Sequence, residues 1–202
     1  ANNFEINKIS GNLIFNSSLV INGGIWTYTA GNIVWNNNTV TCNATTATIN
    51  NGRFYQLILN NSALVLTLSG NTIVTNTLTL SALVTVDGGT LDAKGDIVNT
   101  DVAWNGTGKL IASGTVDQNI TSVGDLGNFE INKISGNLNF NAGVSISQGW
   151  KYIAGNIVWN NNSVTFNGAT GSIDNGEFYN LLINNATMVL TILNNPIVGN
   201  TL

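Results

Sequence analysis

The sequence predicts an all-β chain wound as a parallel β-solenoid, and two internal repeats of different length lead to this prediction. The octapeptide Gly-Asn-Ile-Val-Trp-Asn-Asn-Asn at residues 31–38 recurs letter for letter at 155–162, a shift of 124 residues. A shorter repeat of about 20 residues, marked by Asn and Gly, runs inside each copy and has the length of one coil with three short strands. The 202 residues therefore correspond to about ten coils.

The long repeat defines the organisation of the chain. Residues 3–13 reappear unchanged at 128–138, and the correspondence then continues to the last residue. We therefore divide the chain into a first super-repeat at 1–127 and a second at 128–202, which ends partway through the repeat. Residues 87–127 hold a large share of the charged residues and follow the short repeat least clearly. We expect more charged and less regular coils in this segment.

The composition favours strands over helices. Hydrophobic residues make up 43% of the chain and charged residues only 8%, against roughly 25% charged residues in an average globular domain. Asn, Thr, Ser and Gly replace the missing charges, and apolar residues alternate or form short runs such as residues 64–68. No stretch keeps the apolar spacing of a helix over three turns, so we expect no helix.

The short repeat also aligns side chains of one type, with an amide at one position of each coil and an aromatic residue just before it. The predicted amide ladder consists of Asn16, Asn36, Gln56, Asn76, Asn141, Asn160, Asn180 and Asn200. The predicted aromatic ladder consists of Phe15, Trp35, Tyr55, Phe140, Trp159 and Tyr179. Coils about 4.8 Å apart would let each amide donate to one neighbour and accept from the other. Such ladders need parallel strands in register, which argues against an antiparallel sandwich or barrel.

The composition also argues against several partners and cofactors. A net charge of −4 with only six basic residues disfavours nucleic acid, whose binding needs clustered Lys and Arg. No apolar run approaches the ~18 residues of a membrane span, and no signal peptide is visible. With no His and one Cys, zinc and iron–sulfur sites lack ligands, and we expect no cofactor. Because Cys42 aligns with Phe166, we interpret it as a buried apolar residue.

We consider the charged residues as candidates for a metal site or a catalytic site. Residues 87–96 combine Asp and Gly as calcium loops of β-rolls do, but they lack the repeat of those loops, so solvated corners are the favoured interpretation. Glycosidases need paired carboxylates, whereas Glu5 and Glu130 are copies of each other that lie about six coils apart. Glu177 replaces Arg53 in the second copy, which indicates an exposed face. We expect no metal site and no catalytic residues.

A polysaccharide-binding or polysaccharide-degrading module, such as a phage tail-fibre segment, is the alternative. The aromatic residues that would stack on sugar rings if they were exposed are Trp26, Tyr28, Trp104, Trp150 and Tyr152. Core packing is the favoured use for most of them. The residues that would support the alternative, if they lined a cleft, are Asp92, Asp96 or Asp101 together with an exposed Trp104.

Three segments of the second copy carry a resemblance to a known class of proteins. Residues 164–173 (Val-Thr-Phe-Asn-Gly-Ala-Thr-Gly-Ser-Ile), 176–185 and 197–202 resemble the β-strand repeats of large secreted bacterial surface proteins and filamentous-haemagglutinin-like adhesins. The first copy shows the same pattern at 54–61 and 73–80. The resemblance implies a right-handed β-helix that is exported to the cell surface and acts as a stalk, an adhesive rod or a wall-like layer. It implies no catalytic residues.

We therefore expect a non-enzymatic extracellular protein, structural or adhesive, that forms a surface rod, a stalk or a self-assembling filament or sheath. Its expected partners are further coils, from the same chain or from other copies stacked head to tail, and a cell-surface glycan. Neither end of the sequence resembles the polar cap of a natural solenoid, so we expect either a piece of a much longer chain or ends that stack on other subunits.

Overall fold

A computed structural model describes residues 3–82, 84–100 and 104–201. The described residues form strands and no helix, and every pairing between strands is parallel. The strands are β1 (Phe4–Ile14), β2 (Leu19–Ile21), β3 (Ile25–Val34), β4 (Thr39–Cys42), β5 (Thr46–Asn50), β6 (Arg53–Leu59), β7 (Val65–Ser69), β8 (Asn71–Leu80), β9 (Val84–Asp87), β10 (Thr90–Ala93), β11 (Asp96–Asn99), β12 (Trp104–Asn105), β13 (Lys109–Ala112), β14 (Gln118–Ser122), β15 (Asn128–Phe140), β16 (Val144–Ile146), β17 (Gly149–Val158), β18 (Ser163–Phe166), β19 (Thr170–Asp174), β20 (Glu177–Ile183), β21 (Val189–Ile192) and β22 (Ile197–Thr201). The predicted parallel β-solenoid of about ten coils is confirmed.

The strands stack into three faces, which we number in chain order. The first face begins with residues 4–6 of β1, the second with residues 12–14 of the same strand, and the third with β2. Each coil then supplies one paired segment to each face before the chain climbs to the next coil. This arrangement places residues about 20 apart in neighbouring positions, as the short repeat predicts.

A single core runs along the axis, because every second residue of a strand points inward. The third face shows this most clearly: Leu57 pairs with Leu78, Leu78 with Ile97, Ile97 with Ile120 and Ile120 with Phe140. All five side chains have 0% exposure. On this face an inward position therefore keeps its apolar character from coil to coil, and each coil covers the core of its neighbour.

The solenoid turns at corners where Asn adopts left-handed backbone angles. Asn36, Asn37 and Asn51 have φ values of 49°, 60° and 51°. Their second-copy counterparts Asn160, Asn161 and Asn175 have φ values of 48°, 60° and 66°. Asn tolerates this region better than other residues with a side chain, because its short amide can bond the local backbone. The abundance of Asn thus has a structural cause at the corners.

The super-repeat is not a whole number of coils. Strand pairs that start at Phe4 lead up the first face through Trp26 and Ile49 to Leu68. Pairs followed back from Phe129, the copy of Phe4, lead to Thr72, which is on the second face of the same coil as Leu68. The second copy is therefore displaced by one face, and equivalent residues of the two copies lie on different sides of the solenoid.

The charged segment continues the same coils. Strand β10 pairs with β8 on one side and with β13 on the other, without a shift in register. Strand β13 in turn pairs with β15, so the segment joins the two super-repeats through one uninterrupted ladder on the second face. Asp101, which belongs to the charged set, lies outside the described residues.

Cys42 provides a probe of how tightly the core is closed. Its side chain has 0% exposure, and burial raises the pKa of the thiol, against a smaller lowering by a hydrogen bond with the Ala44 backbone. A thiol reagent should therefore reach Cys42 only after the coils open. We expect Ellman's reagent at pH 8 to label Cys42 on the order of 10³-fold or more slowly than an exposed thiol.

The variant Thr67→Cys supplies the exposed thiol, since Thr67 points outward from the first face. Its time course should show one fast and one slow thiol, and denaturant should merge the two phases. Fast labelling of the unmodified protein would contradict the closed core.

Candidate functional site

The recurring octapeptide belongs to a lobe on the side of the solenoid. Residues 28–38 are opposed in the next coil by only residues 51–55, because the flanking residues on both sides remain paired. The preceding coil does match the octapeptide, since residues 12–14 pair with 32–34. We call residues 7–18 and 28–38 the first lobe. Among the described residues, the edge of 32–34 that faces the shorter coil has no strand pairing.

Gly31 opens the octapeptide for a steric reason. Its φ is 122°, in the region that favours glycine. A Cβ at this position would lie 2.8 Å from the Lys8 Cβ of the preceding coil, closer than real Cβ contacts. Gly155 meets Lys133 in the same way, with φ 130° and 2.8 Å to the Lys133 Cβ. The two coils of each lobe can pack this closely only through glycine.

A groove of about 380 Å³ lies between the first lobe and the shorter coil. Its side chains are aromatic, amide and cationic. The groove is lined by Tyr28, Gly31, Asn32, Ile33, Trp35, Asn36, Asn37, Arg53, Phe54, Tyr55, Ile73 and Thr75. Tyr28, Trp35 and Tyr55 are half-buried, whereas the three Asn side chains are exposed. This surface offers flat apolar rings beside hydrogen-bonding groups.

Arg53 is fixed at the wall of the groove. Its guanidinium carbon lies 5.4 Å from the centre of the Tyr28 ring, a cation–π distance. Its Nη1 donates to the carbonyl oxygens of Gly52 and Asn71 at 3.0 and 2.9 Å. The Tyr28 hydroxyl donates to the Gly31 carbonyl at 2.7 Å, which holds the ring in place. The backbone thus orients the cation before any ligand arrives.

The second copy repeats this frame with the opposite charge. In the second lobe, residues 132–143 and 152–162, the Tyr152 hydroxyl donates to the Gly155 carbonyl at 2.7 Å. The Trp159 and Phe178 rings are 6.0 Å apart, the same separation as Trp35 and Phe54. Glu177 is exposed at the position of Arg53. The chain therefore carries two equivalent ring frames, one beside a cation and one beside an anion.

The predicted amide ladder is broken in each copy at the lobe. Asn36 donates to Asn16 at 3.0 Å, as predicted, but Gln56 does not continue from Asn36. Gln56 instead accepts a hydrogen bond at 2.7 Å from the Thr39 hydroxyl, 17 residues earlier. The prediction assumed a constant step, whereas the lobe gives its coil extra residues and shifts the alignment. Asn76 donates to the Tyr55 hydroxyl at 2.7 Å rather than to Gln56.

The second copy shows the same break. Asn160 donates to Asn141 at 3.4 Å, and Asn200 donates to Asn180 at 2.9 Å. Between these pairs, Asn180 donates at 3.3 Å to Ser163, again 17 residues earlier. The predicted column is thus a set of separate pairs rather than one continuous ladder.

Two further amide pairs, which are not among the predicted ladder residues, lie at the outer edges of the two lobes. Asn32 donates to Asn12 at 2.7 Å, and Asn156 donates to Asn137 at 2.7 Å. Both pairs occupy matched positions of the two-coil lobes, where the strands are in register. The Gly-Asn dipeptides that revealed the short repeat were the available signal, because their side chains are the ones that pair.

The aromatic ladder is correct for its first step and wrong for its second. Phe15 and Trp35 stack at 4.5 Å with an angle of 12° between the rings. The next ring in the stack is Phe54, 6.0 Å from Trp35, whereas Tyr55 points to the groove wall. In the second copy, Phe140 and Trp159 stack at 4.6 Å, and Phe178 takes the place predicted for Tyr179. The extra residues of the lobe again shift the register by one side chain.

The Asp residues of the charged segment join neighbouring coils. The carboxylates of Asp87, Asp96, Asp117 and Asp125 accept hydrogen bonds from the backbone N–H groups of Thr107, Asn119, Asn137 and Ser147, at distances of 2.8 to 3.1 Å. Each donor lies one coil further along the chain. These carboxylates add hydrogen bonds between coils at or near the ends of the paired segments.

The residues that would line a catalytic cleft do not meet in one. The Trp104 side chain is buried, with 1% exposure. Asp92 is also buried, accepts a hydrogen bond from the Ser113 hydroxyl, and lies 3.4 Å from the Lys94 ammonium group. The Asp96 carboxylate accepts hydrogen bonds from the backbone and side-chain N–H groups of Asn119. Among the described residues, no group of three or more His, Cys, Asp or Glu side chains is placed to hold a metal ion.

Lys133 is buried in the second lobe. Its side chain has 2% exposure, and its ammonium group donates to the Val116 carbonyl at 2.8 Å and to the Gln118 side chain at 3.5 Å. Burial lowers the pKa of Lys133, against a smaller raising effect of the Asp117 charge. Its copy Lys8 is half-buried in the first lobe. The Lys133 ammonium group is therefore enclosed against the coil that precedes the second lobe.

Comparison of the chain with protein-family models, curated proteins and solved structures finds no match. In the part of the chain that the structure describes, no helix has the length and apolarity to cross a lipid bilayer. The architecture of the solenoid and of the groove beside its first lobe is therefore the basis for a functional proposal.

The corrected aromatic stack predicts unequal effects for two adjacent residues. Replacing Phe54 with Ala removes a ring that has 1% exposure and should reduce the free energy of unfolding by about 3–5 kcal/mol. Replacing the half-buried Tyr55 with Ala should cost clearly less, about 1–2 kcal/mol. Denaturant unfolding of the two variants measures both values, and equal losses would contradict the placement of Phe54 inside the stack.

Lys133 should make stability depend on pH in the alkaline range. Because its pKa is lower in the folded than in the unfolded protein, the unfolded state binds more protons in the interval between the two values. The free energy of unfolding should therefore rise with pH in this interval, which ends near the unfolded lysine pKa of about 10.4. The Lys133→Met variant should lack this rise, so the wild type gains stability relative to it.

Denaturant titrations between pH 7 and 10.5 provide the measurement, and other titrating groups cancel in the difference between the two proteins. Lys8→Met is the matched control, since it removes a lysine from the same local sequence in a half-buried setting. If the difference in the free energy of unfolding between the wild type and Lys133→Met stays constant over this range, the effect of burial on the Lys133 pKa is contradicted.

Proposed function

We propose that the chain is a non-enzymatic structural and adhesive repeat protein that forms a rod of stacked coils outside the cell. The observation that carries this proposal is the inward column of apolar side chains, which continues to both edges of the described solenoid. Each edge offers a further coil the same surface that the inner coils offer one another. The partner class that fits such an edge best is another parallel coil of the same kind.

The exposure of the edge residues supports this partner class. Phe4 is 40% exposed, although it pairs with Trp26, which is 4% exposed in the next coil. At the other edge, Ile192 is 57% exposed and pairs with Ile173, which is 0% exposed. A further coil over either edge would bury these side chains and extend the backbone ladder. It would come from a longer polypeptide or from another copy stacked head to tail, in a contact that propagates rather than closes.

The extracellular location and the adhesive role rest on the sequence. Its segments resemble the β-strand repeats of secreted surface proteins and filamentous-haemagglutinin-like adhesins, and its charged content of 8% is low. Asp92 and Asp96, two of the three carboxylates that would have lined a catalytic cleft, accept hydrogen bonds from Ser113 and Asn119 of the next coil. This use supports a structural role for the charged segment.

A second candidate function, the binding of polysaccharide, is favoured by one observation. The groove beside the first lobe combines three half-buried aromatic rings with exposed amides and a fixed cation. A rod that also carries such a groove would serve as an adhesin, so the two functions are compatible.

Electron microscopy of the protein as its source produces it, without a step that dissociates polymers, tests the rod. We expect rods or fibres of uniform width with an axial repeat near 4.8 Å, about the spacing of adjacent strands. Long fibres would identify a filament or sheath subunit, whereas short rods on a larger body would identify a stalk segment. Particles without any axial repeat would contradict the proposal.

A pair of variants separates the two forms of the rod. Ile192→Lys places a charge on the exposed edge and should shorten fibres of stacked subunits, because a desolvated charge at the contact is unfavourable. Thr67→Lys makes a comparable change on the side of the rod and should leave fibre length unchanged. Equal fibre lengths in the two variants would argue against head-to-tail stacking through this edge.

A further inference from the structure

We propose that the groove beside the first lobe binds an acidic glycan, a sugar chain that carries carboxylate or sulfate groups. Arg53 would hold the acidic group, and the rings of Tyr28, Trp35 and Tyr55 would contact the apolar face of the sugar. This inference deepens the second candidate function and does not depend on whether the rods self-associate.

Three partly accessible aromatic rings lie together in the groove. Three of the residues considered for sugar stacking, Trp26, Trp104 and Trp150, have exposures of only 4%, 1% and 1% and belong to the core. Tyr28, together with the neighbouring Trp35 and Tyr55, keeps part of its surface open. A half-buried ring with a polar edge suits a sugar, which presents C–H groups on its faces and hydroxyl groups at its rim.

Two of these rings are held rigidly by hydrogen bonds. The Tyr28 hydroxyl donates to the Gly31 carbonyl at 2.7 Å. The Tyr55 hydroxyl accepts a hydrogen bond from the Asn76 amide at 2.7 Å. Binding therefore requires little ordering of the protein, which favours recognition of a flexible polar ligand.

The polar groups of the groove match sugar hydroxyls. Asn32, Asn36 and Asn37 are exposed. Asn32 and Asn36 each use one amide hydrogen on Asn12 and Asn16, so their second N–H and their carbonyl oxygen can face a ligand. The edge of residues 32–34 adds backbone N–H and C=O groups that have no strand partner among the described residues. The same lobe thus supplies donors and acceptors within one rigid surface.

The cation determines the class of sugar. A planar guanidinium pairs with carboxylate or sulfate through two parallel hydrogen bonds. The hydrogen bonds of Arg53 to other described residues all use Nη1, which leaves the Nε and Nη2 donors for a ligand. In a chain with a net charge of −4 and six basic residues, a cation fixed in an aromatic groove favours an anionic ligand over a neutral one.

The second copy supplies an internal control for this assignment. Its ring frame is the same, but Glu177 occupies the position of Arg53 and would repel an acidic sugar. One acidic-glycan site per chain is therefore expected. The equivalent surface beside the second lobe should become a second site when Glu177 is replaced by Arg.

A peptide strand is the competing ligand, because residues 32–34 form an unpaired strand edge. This edge is three residues long and is flanked by projecting rings and amides, which leaves little room for strand addition. The glycan is therefore the ligand that the groove favours.

Isothermal titration calorimetry of the full chain at low salt tests the proposal with four probes. Hexagalacturonate carries carboxylates, a sulfated dextran oligosaccharide carries sulfates, cellohexaose is neutral, and an acidic extended peptide represents strand addition. We expect one of the two acidic sugars, or both, to bind with a stoichiometry of one, at least tenfold more tightly than cellohexaose or the peptide. Raising the salt concentration from 0.05 M to 0.5 M should weaken binding severalfold, since the Debye length shortens.

Two charge-swap variants locate the site. Arg53→Glu should abolish binding, and Glu177→Arg should raise the stoichiometry from one to two. Because Glu177 is exposed, its replacement leaves the fold intact, and circular dichroism checks the fold of both variants. The proposal would be overturned by equal binding of cellohexaose, by tighter binding of the peptide, by unchanged binding in Arg53→Glu, or by a stoichiometry of one in Glu177→Arg. These outcomes are independent of fibre formation.

Discussion

The parallel hydrogen-bond ladder between neighbouring coils is the interaction on which the rest of the structure depends. Every coil must present backbone donors and acceptors to the next at the same three faces, so the paired segments stay in register along the chain. A coil that gains residues cannot place them in the ladder without moving inward side chains to the outside. Added residues therefore project from the solenoid at the corners, where they form the lobes.

This constraint explains why the most distinctive surfaces lie where coil lengths differ. Residues 28–38 project because only residues 51–55 oppose them in the next coil. The mismatch creates a groove, an unpaired strand edge and a set of partly exposed rings at one place. A uniform solenoid would have none of these features. Variation in coil length thus adds a distinct surface to an otherwise uniform rod, while the residues that flank the lobe stay paired.

The one-face displacement of the second copy has a related consequence. Since the super-repeat exceeds a whole number of coils by one face, Phe4 and Phe129 lie on different sides of the solenoid. The two lobes are therefore distributed around the rod instead of lying in a single row. Repeats that continue this pattern would place further lobes along a spiral, and a surface or polymer that contacts several lobes would have to wrap around the rod.

The sequence was sufficient to predict the fold because the ladder imposes a period that is visible in the residues. It was not sufficient to predict the contacts at the lobes. Gln56 and Tyr55 were assigned to the ladders by counting a constant step, but the structure places Gln56 beside Thr39 and puts Phe54 in the aromatic stack. A one-residue error moves a side chain to the opposite face of a strand, so counting fails wherever a corner changes length.

The contrast between Arg53 and Glu177 shows which positions are free to carry function. Arg53 and Glu177 are the first residues of equivalent strands and pair with equivalent neighbours, Ile73 and Ile197. The strand pairing is therefore the same with either charge. The inward residue that follows is Phe in both copies and stays in the stack. Charge can therefore change at the groove wall without disturbing the ladder or the core. In a solenoid built by duplication, this separation allows each copy of one structural frame to acquire a different ligand preference.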